Sequence, residues 1–431
     1  MQLKTVKNVS LSLAAATCAL LGTSVQAEDT NAEDWQFDTA VLYYGEADRV
    51  QLAEGVLNAN KTFTGERVFN GKIAIDTLTG ASATGAVAQP DVQTFTRPSG
   101  DGQYVVNPGE TPLDDTFKDT RVQLSAQWTQ PLWEDMRGST GVHLSKEYDY
   151  LSLGMNGSLE RDFNQKNTTA SFGLSYQYDA IDPVGEAPIG LSSMVVNNGQ
   201  FADETAFEQA FNATRSTDSK DKNTLDALFG VTQIINRRML MQFNYSFSVA
   251  DGYLNDPYKL LSVVNNGGLT EDLVHENRPD KRTKQSFYWQ TKYASDYGVA
   301  DVSYRFATDD WDISSHTIDS RFRIPLTDNS YLQPHFRYYQ QSAADFYQPF
   351  LLADSLLPTV ASADYRLGEM TAYTIGLKYA MELENGREWA VRLEYYQQDP
   401  KNAGFDEPGA LQNLDLYPAV KAVIAQVSYR F

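Results

Sequence analysis

The chain closes with Lys421-Ala422-Val423-Ile424-Ala425-Gln426-Val427-Ser428-Tyr429-Arg430-Phe431, and this stretch decides the fold. Successive side chains of a strand point to opposite faces. One face is apolar and ends in two aromatic residues: Val423, Ala425, Val427, Tyr429 and Phe431. The other face is polar apart from Ile424: Gln426, Ser428 and Arg430. This pattern is typical of the closing strand of an outer-membrane β-barrel. The alternative is the terminal edge strand of a soluble sheet.

A bare aromatic residue at the end of a chain resembles the sorting signal of outer-membrane barrels. We therefore expect Tyr429 and Phe431 to form a membrane-assembly signal for the barrel-assembly machinery. Both rings should face outer-membrane lipid at the level of the aromatic girdle.

The N-terminus has the pattern of a secretory signal peptide. Lys4 and Lys7 form a basic start, residues 11–25 are apolar or small, and Val25-Gln26-Ala27 is a small-residue cleavage site. Residues 1–27 are therefore assigned to a signal peptide and residues 28–431 to one barrel domain. The only cysteine, Cys18, lies inside this signal. An alternative lipoprotein interpretation would acylate Cys18, but the apolar core continues beyond it.

Composition agrees with an all-β transmembrane protein of the Gram-negative outer membrane. The chain has 25 Tyr, 21 Phe and 6 Trp, yet its mean hydropathy is negative. No run after the signal approaches the roughly 20 apolar residues of a membrane helix. Barrel strands escape such detection because lipid-facing and lumen-facing residues alternate. The net charge of −21 argues against nucleic acid as a partner.

Alternation of apolar and polar residues predicts an antiparallel barrel of about 16 strands with long extracellular loops. The window 50–63 alternates least. The predicted strands are 35–44, 50–63, 67–77, 120–132, 139–147, 150–161, 168–179, 223–235, 238–250, 283–294, 298–307, 312–325, 330–340, 370–381, 387–397 and 420–431.

The connections support this strand count. With both termini periplasmic, every second connection should be a short periplasmic turn rich in Gly, Asn or Asp. That holds except at Asn236-Arg237, which lacks Gly. All of the long connections fall in the other, extracellular class: 78–119, 180–222, 251–282, 341–369 and 398–419. A wrong strand count would scatter long connections over both classes.

Several ordered blocks resemble the proteobacterial family catalogued as domain of unknown function 3570. The blocks span nearly the whole mature chain: Thr79-Gly80-Ala81-Ser82, Gly252-Tyr253-Leu254-Asn255-Asp256-Pro257-Tyr258-Lys259, Glu276-Asn277-Arg278-Pro279-Asp280, Pro334-His335-Phe336-Arg337-Tyr338 and Asp345-Phe346-Tyr347. Ala83 departs from the proline that follows the first block in that family. The resemblance implies an outer-membrane location and no activity.

The sequence contains one arrangement with the chemistry of an enzyme. His143 and Ser145 share a strand face, and Asn156 lies in the next strand, as in outer-membrane phospholipase. Alternation turns these side chains into the lumen, away from a lipid substrate. We therefore expect a polar lumen network, no catalytic residue and no enzyme.

Acidic clusters occur at Asp114-Asp115, Glu271-Asp272 and Asp309-Asp310-Trp311-Asp312. None matches a calcium-loop pattern, so solvated loop charge is expected, with no metal and no cofactor.

The later strands are predicted to turn a basic wall toward the lumen. The candidate lumen and selectivity residues are Arg305, Arg321, Arg323, Arg337, Lys378, Arg392 and Arg430. In an open pore such residues favour anions. In a closed barrel they pair with acids of loops folded inward. Both alternatives stay open at this point.

Sixteen strands can enclose an aqueous channel, so the favoured function is porin-like passage of a small, anionic solute. The alternative is a barrel without transport, whose outer loops bind a partner or support surface assembly. A bore plugged by 78–119 or 180–222 would favour that alternative.

Overall fold

A closed antiparallel barrel of sixteen strands dominates the computed structural model, which describes residues 35–47 and 49–431. The predicted signal peptide and the predicted start of the mature chain lie outside these residues. The barrel strands are β1 Trp35–Glu46, β2 Val50–Phe63, β3 Arg67–Ala83, β4 Leu113–Trp133, β5 Met136–Lys146, β6 Tyr150–Phe163, β7 Thr168–Ile181, β8 Lys220–Asn236, β9 Met239–Gly252, β10 Lys281–Ser295, β11 Gly298–Asp309, β12 Ser314–Thr327, β13 Ser330–Gln341, β14 Met370–Glu382, β15 Glu388–Pro400 and β16 Val420–Arg430. Each strand pairs with its sequence neighbour.

The last strand closes the barrel against the first. The β1–β16 pairing runs from Asp38 opposite Arg430 to Glu46 opposite Ala422. Beyond the strand, the amides of Phe37 and Phe431 each donate to the other's carbonyl, at 2.8 and 2.9 Å. The Phe431 ring also stacks on Phe37, with centroids 5.4 Å apart. The terminal aromatic residue is thus part of the closing seam.

The sixteen-strand prediction is confirmed, and strand 50–63 forms in full. The predicted long connections were too wide, because β3 continues to Ala83, β4 begins at Leu113, β7 ends at Ile181 and β8 begins at Lys220. Backbone pairing satisfies polar groups in water as well as in lipid. These hairpins therefore extend past the length that alternation of lipid-facing residues can reveal.

The outward face of the barrel carries large apolar side chains. Val41 is 66 % exposed, Met155 64 % and Phe287 59 %. A continuous apolar outer surface of this kind is what a bilayer covers. Among the described residues, no helix has the length and apolar character to cross a membrane.

Short and long connections lie at opposite ends of the barrel, called here the short-turn end and the long-loop end. The turn after β8, which lacks Gly, is held by the Asn236 side chain. Its Oδ1 accepts a hydrogen bond from the Arg238 amide at 2.9 Å. A side-chain cap thus replaces glycine at this turn.

Five long connections pack together as a loop cap, defined by residues 84–112, 182–219, 253–280, 342–369 and 401–419. It contains the helix α1, Glu204–Asn212, and three small sheets. The central sheet pairs Leu260–Val264 with Thr270–His275 and with Leu351–Leu352. Apolar side chains of four different connections meet in one buried cluster: Val87, Val264, Phe350 and Leu411.

The loop cap spans the mouth of the barrel. The connection between β9 and β10 touches the connection between β15 and β16, where the Ala410 amide donates to the Gly267 carbonyl at 2.8 Å. These two strand pairs lie six positions apart around a ring of sixteen strands, toward opposite sides of the barrel. Their loops can therefore meet only by crossing the opening.

Two glycines allow close backbone approaches, one at the barrel rim and one within the cap. Gly80 has φ +126°, and a Cβ there would lie 2.2 Å from the Arg49 carbonyl oxygen. Gly85 has φ +98°, and a Cβ there would lie 2.6 Å from the Leu260 oxygen. Both conformations favour glycine and leave no room for a side chain. The first residues of the predicted connection 78–119 are instead the end of β3.

Candidate functional site

The lumen near the short-turn end holds a polar cavity of about 230 Å³. Its lining comes from strands β12 to β16, whose alternate residues point inward. Three of the sequence-predicted basic residues line it, namely Arg321, Lys378 and Arg392. The other lining residues are Gln333, His335, Ala390, Glu394, Gln426 and Ser428.

Most of the predicted basic residues have a carboxylate partner on the barrel wall or its rim. Arg430 Nε lies 2.7 Å from Asp38, and Arg323 lies 3.0 Å from Glu382. The weaker contacts are Arg321–Asp319 at 3.4 Å, Lys378–Glu388 at 3.4 Å and Arg392–Glu394 at 3.8 Å. The acids that pair with these residues come from barrel strands, whereas the closed-barrel alternative expected acids from inserted loops.

His335 bridges two acids at the centre of this wall. Its Nδ1 lies 2.8 Å from Glu394 Oε1, and its Nε2 lies 3.1 Å from Asp319 Oδ2. Each carboxylate can accept but cannot donate a hydrogen bond while ionised. Both contacts are therefore satisfied together when the imidazole carries two protons. This arrangement adds a cation between the arginines.

Two of the predicted residues form no ion pair within the described chain, Arg305 and Arg337. Arg337 is exposed to the lumen, opposite Asp319 in the strand register. The Arg305 guanidinium lies 5.3 Å from the centroid of the Tyr288 ring. Arg305 and Arg337 are therefore the two basic residues of the wall whose charge is not matched by an ion pair within the described residues.

Exposure differs between the two ends of the lumen. The Arg321, Arg323 and Arg430 side chains are each 44 % exposed near the short-turn end. Toward the long-loop end, the inward-facing Val50 and Leu52 are 1 % and 4 % exposed. The basic wall is therefore reached by water from the short-turn end, and the cap covers the other end.

The cap is anchored to the rim through its polar backbone. Gln341 at the end of β13 donates from Nε2 to the carbonyls of Arg366 and Gly368, at 2.9 and 2.8 Å. The Lys259 ammonium donates to the Ala83 carbonyl at the end of β3. These bonds fix the connections 253–280 and 342–369 to two distant strands.

Inside the cap lies a buried charge network that the sequence analysis did not identify. Arg278 contacts Glu276 at 2.7 Å and Asp364 at 2.8 Å. Arg366 contacts Asp256 at 2.7 Å and also pairs with Asp364. Burial opposes ionisation of Asp364, but the two guanidinium groups hold its pKa well below its usual value. The network thus keeps both arginines and Asp364 charged out of water.

Four of the six residues of this network lie in sequence blocks that carry the family resemblance, but those blocks do not predict that the residues contact each other. Asp256 and Lys259 lie in one block of the family resemblance, and Glu276 and Arg278 lie in another. Nothing local relates these blocks to Asp364 and Arg366, about 90 residues later in the chain. Only the packing of two loops brings the six groups together.

Within the described residues, the hydrogen-bond partner of His143 is a serine other than Ser145. His143 Nδ1 lies 2.9 Å from the hydroxyl of Ser125 on β4. That serine belongs to a different strand from Ser145. The contact is a lumen-side hydrogen bond between neighbouring strands, of the kind that the polar-network expectation described.

The acidic clusters have protein partners. Asp309 pairs with Arg282 and accepts from the amides of Trp311 and Ile313, at 3.1 and 3.0 Å. Asp115 lies 3.2 Å from Arg97, and Asp272 accepts from Ser193 at 2.6 Å. They act as turn caps and ion pairs.

A different acidic group is brought together by the fold: Asp119, Glu147 and Asp149. Each of the three offers an oxygen within 4.8 Å of the others. Asp149 also accepts from the Tyr258 hydroxyl at 2.7 Å. These residues belong to β4 and to the connection after β5, so no sequence spacing indicates the group.

Comparisons with known proteins identify a family and leave the activity open. The family model described as "Protein of unknown function (DUF3570)" matches residues 10–431. No curated protein matches the chain by sequence.

Among solved structures, a bacterial polysaccharide outer membrane secretin is 8 % identical with TM-score 0.42, covering 94 % of this chain and 100 % of its own. The siderophore receptor PirA from Acinetobacter baumannii is 8 % identical with TM-score 0.41, covering 91 % of this chain and 58 % of its own. CdiB from Acinetobacter baumannii is 6 % identical with TM-score 0.44, covering 93 % and 60 %. This chain therefore spans about three fifths of the last two proteins. The likeness concerns the barrel alone.

Proposed function

Since the chain belongs to the DUF3570 family, whose description assigns no function, we propose a function from its own geometry: a Gram-negative outer-membrane channel that passes a small anionic solute. One observation carries this proposal. The lumen holds water-accessible arginines, of which Arg305 and Arg337 have no carboxylate partner within the described residues. A lumen with unpaired cations attracts anions and repels cations.

The loop cap serves as the entrance of this channel. It covers the long-loop end, which in bacterial outer-membrane barrels faces the exterior. A solute from outside reaches the arginines only when the cap opens or leaves a gap between its connections. Passage is therefore narrow and gated. Outer-membrane lipid surrounds the apolar outer face, and the barrel-assembly machinery receives the terminal Tyr429 and Phe431.

Planar-bilayer conductance tests the proposal. The wild-type protein should conduct with an anion-favouring reversal potential in a salt gradient. The double variant R305E/R337E should shift that potential toward cations, because it reverses the two lumen charges that form no ion pair within the described residues. The control R237E makes the same type of change at an exposed short turn and should leave selectivity unchanged. Conduction with the same selectivity in all three proteins would refute the role of the lumen arginines.

A second function is favoured by the apolar tip of the cap. Leu356 is 97 % exposed and Leu357 52 %, beside Leu352 at 41 %. Exposed apolar groups of this kind are found where partners bind. In that alternative the barrel is an anchor, and the cap is a partner-binding or surface-assembly element. It gains support if a correctly folded barrel never conducts, even when the cap is opened by D364N.

A further inference from the structure

One arginine of the loop cap lacks the pairing of its neighbours. Arg215 lies in the short pairing of Ala187–Pro188 with Arg215–Ser216. Within the described residues no carboxylate lies at ion-pair distance from it, and its Nε is buried without a hydrogen-bond partner. The ring of Phe211 lies 4.3 Å from the guanidinium carbon and orients it. Arg215 is half-buried, and a cation that is partly removed from water without a counter-charge favours the approach of an anion.

Beside Arg215 lies a buried histidine without partners. His275 is 5 % exposed, and neither of its ring nitrogens has a hydrogen-bond partner among the residues that the structure describes. Backbone bonds hold the two residues near one another. The segment that pairs with Arg215 continues to Leu191 and Ser192, and these exchange backbone hydrogen bonds with His275, each at 3.0 Å. The guanidinium is close enough to act, together with burial, in lowering the pKa of His275 to about 3.

A tyrosine completes the group. The Tyr253 hydroxyl is buried and has no hydrogen-bond partner in the described part of the chain, and it interacts electrostatically with Arg215. The acid that follows His275 in the chain, Glu276, is already engaged with Arg278 and Ser362, at 2.7 and 2.5 Å. Buried polar groups are rarely left without partners. Arg215 acts electrostatically on both Tyr253 and His275. All three side chains can donate a hydrogen bond: a guanidinium, a phenol and an imidazole N–H.

We propose that Arg215, Tyr253 and His275 bind a small inorganic anion of halide size that locks the connections 182–219 and 253–280 together. The guanidinium supplies the charge, and the phenol and imidazole supply directed hydrogen bonds. The enclosure by His275 restricts the site to a small ion. This site lies in the cap and does not depend on the lumen arginines or on transport.

Hydrogen exchange of the full-length protein in detergent tests the site with chloride as the probe. Amides of 187–192 and 270–275 should exchange about tenfold more slowly in chloride than in gluconate of equal ionic strength, when chloride is near ten times its Kd. Gluconate is too large to enter. The variant R215M should lose this difference, whereas R237M, at an exposed turn, should keep it. Bromide should show an anomalous scattering peak between the three side chains.

Equal exchange rates in the two salts for the wild type would overturn the proposal. So would a chloride effect that persists in R215M. If R215M does not fold, Y253F decides the matter, since it removes one hydroxyl and should weaken the chloride effect several-fold. A chloride effect of wild-type size in Y253F, with no bromide peak, would also overturn the site.

Discussion

Replacing Asp364 by Asn removes one charge from the centre of the buried network and keeps the shape of the side chain. Asp364 is 1 % exposed. It accepts from Arg278 at 2.8 Å and from Arg366 Nε at 2.7 and 2.8 Å. D364N therefore removes a negative charge that both buried guanidinium groups, those of Arg278 and Arg366, contact. Each guanidinium then has one carboxylate partner fewer. We expect the cap to open more readily while the barrel stays intact.

The magnitude follows from the remaining partners. Removing one member of a buried ion pair costs about 3–5 kcal/mol. Arg366 keeps Asp256 at 2.7 Å, and Arg278 keeps Glu276 at 2.7 Å. The loss should thus fall near the lower limit, about 3 kcal/mol. Since about 1.4 kcal/mol is a factor of ten, the open cap should be populated about a hundredfold more.

Hydrogen exchange measured by mass spectrometry reports this opening directly. Amides of 253–280 and 342–369 should exchange about a hundredfold faster in D364N, whereas those of the strands should not change. The matched control is D115N, whose side chain is 70 % exposed and pairs with Arg97 at 3.2 Å. An exposed pair contributes at most about 1 kcal/mol. Equal protection of the cap in D364N and wild type would refute the reasoning.

Three further outcomes are expected. Deleting Phe431 removes the ring that stacks on Phe37 and the last hydrogen bonds between β1 and the end of the chain. The amount of heat-modifiable barrel in the membrane should therefore fall, while secretion continues. A normal amount of barrel in the membrane would contradict the assembly role of Phe431. In low-chloride buffer the closed cap should lose stability as pH falls from about 6.5 toward 3, because the opened cap then binds a proton that buried His275 does not. The slope should approach 1.4 kcal/mol per pH unit at most, and H275N should flatten it in the exchange assay; an unchanged slope would exclude His275 as the cause. G80A should destabilise the β2–β3 rim by about 1–3 kcal/mol through strain at positive φ. The control G55A should be tolerated, because a Cβ at Gly55 meets nothing within 4 Å. Equal thermal unfolding of the two variants would contradict the requirement for glycine at position 80.

The sequence alone was sufficient for the barrel and for most of its strands. Alternation is a local property, and a strand with one face in lipid must show it over a few residues, as Met239 to Val249 does on β9. The same rule placed Arg321, Lys378 and Arg392 on a common wall. It also left the 50–63 window weak, because Gly55 and Ala59 are lipid-side residues too small to give a clear alternation. The strand extensions at the long-loop end escaped it for a different reason, because they lie beyond the lipid-facing part of the barrel, where no alternation is required.

Only the tertiary structure decided the state of the charges and the form of the cap. Arg392 pairs with Glu394, which is only two residues away in the chain. The bridge from Glu394 to Asp319, in contrast, runs through His335 on another strand and is not predictable from local sequence. The network of Asp256, Arg278 and Asp364 joins loops that no local pattern relates. Long connections have no period that reports their packing, and their order comes from contacts distant in sequence. The barrel is therefore predictable from the sequence, whereas the cap that covers its mouth is a product of the fold.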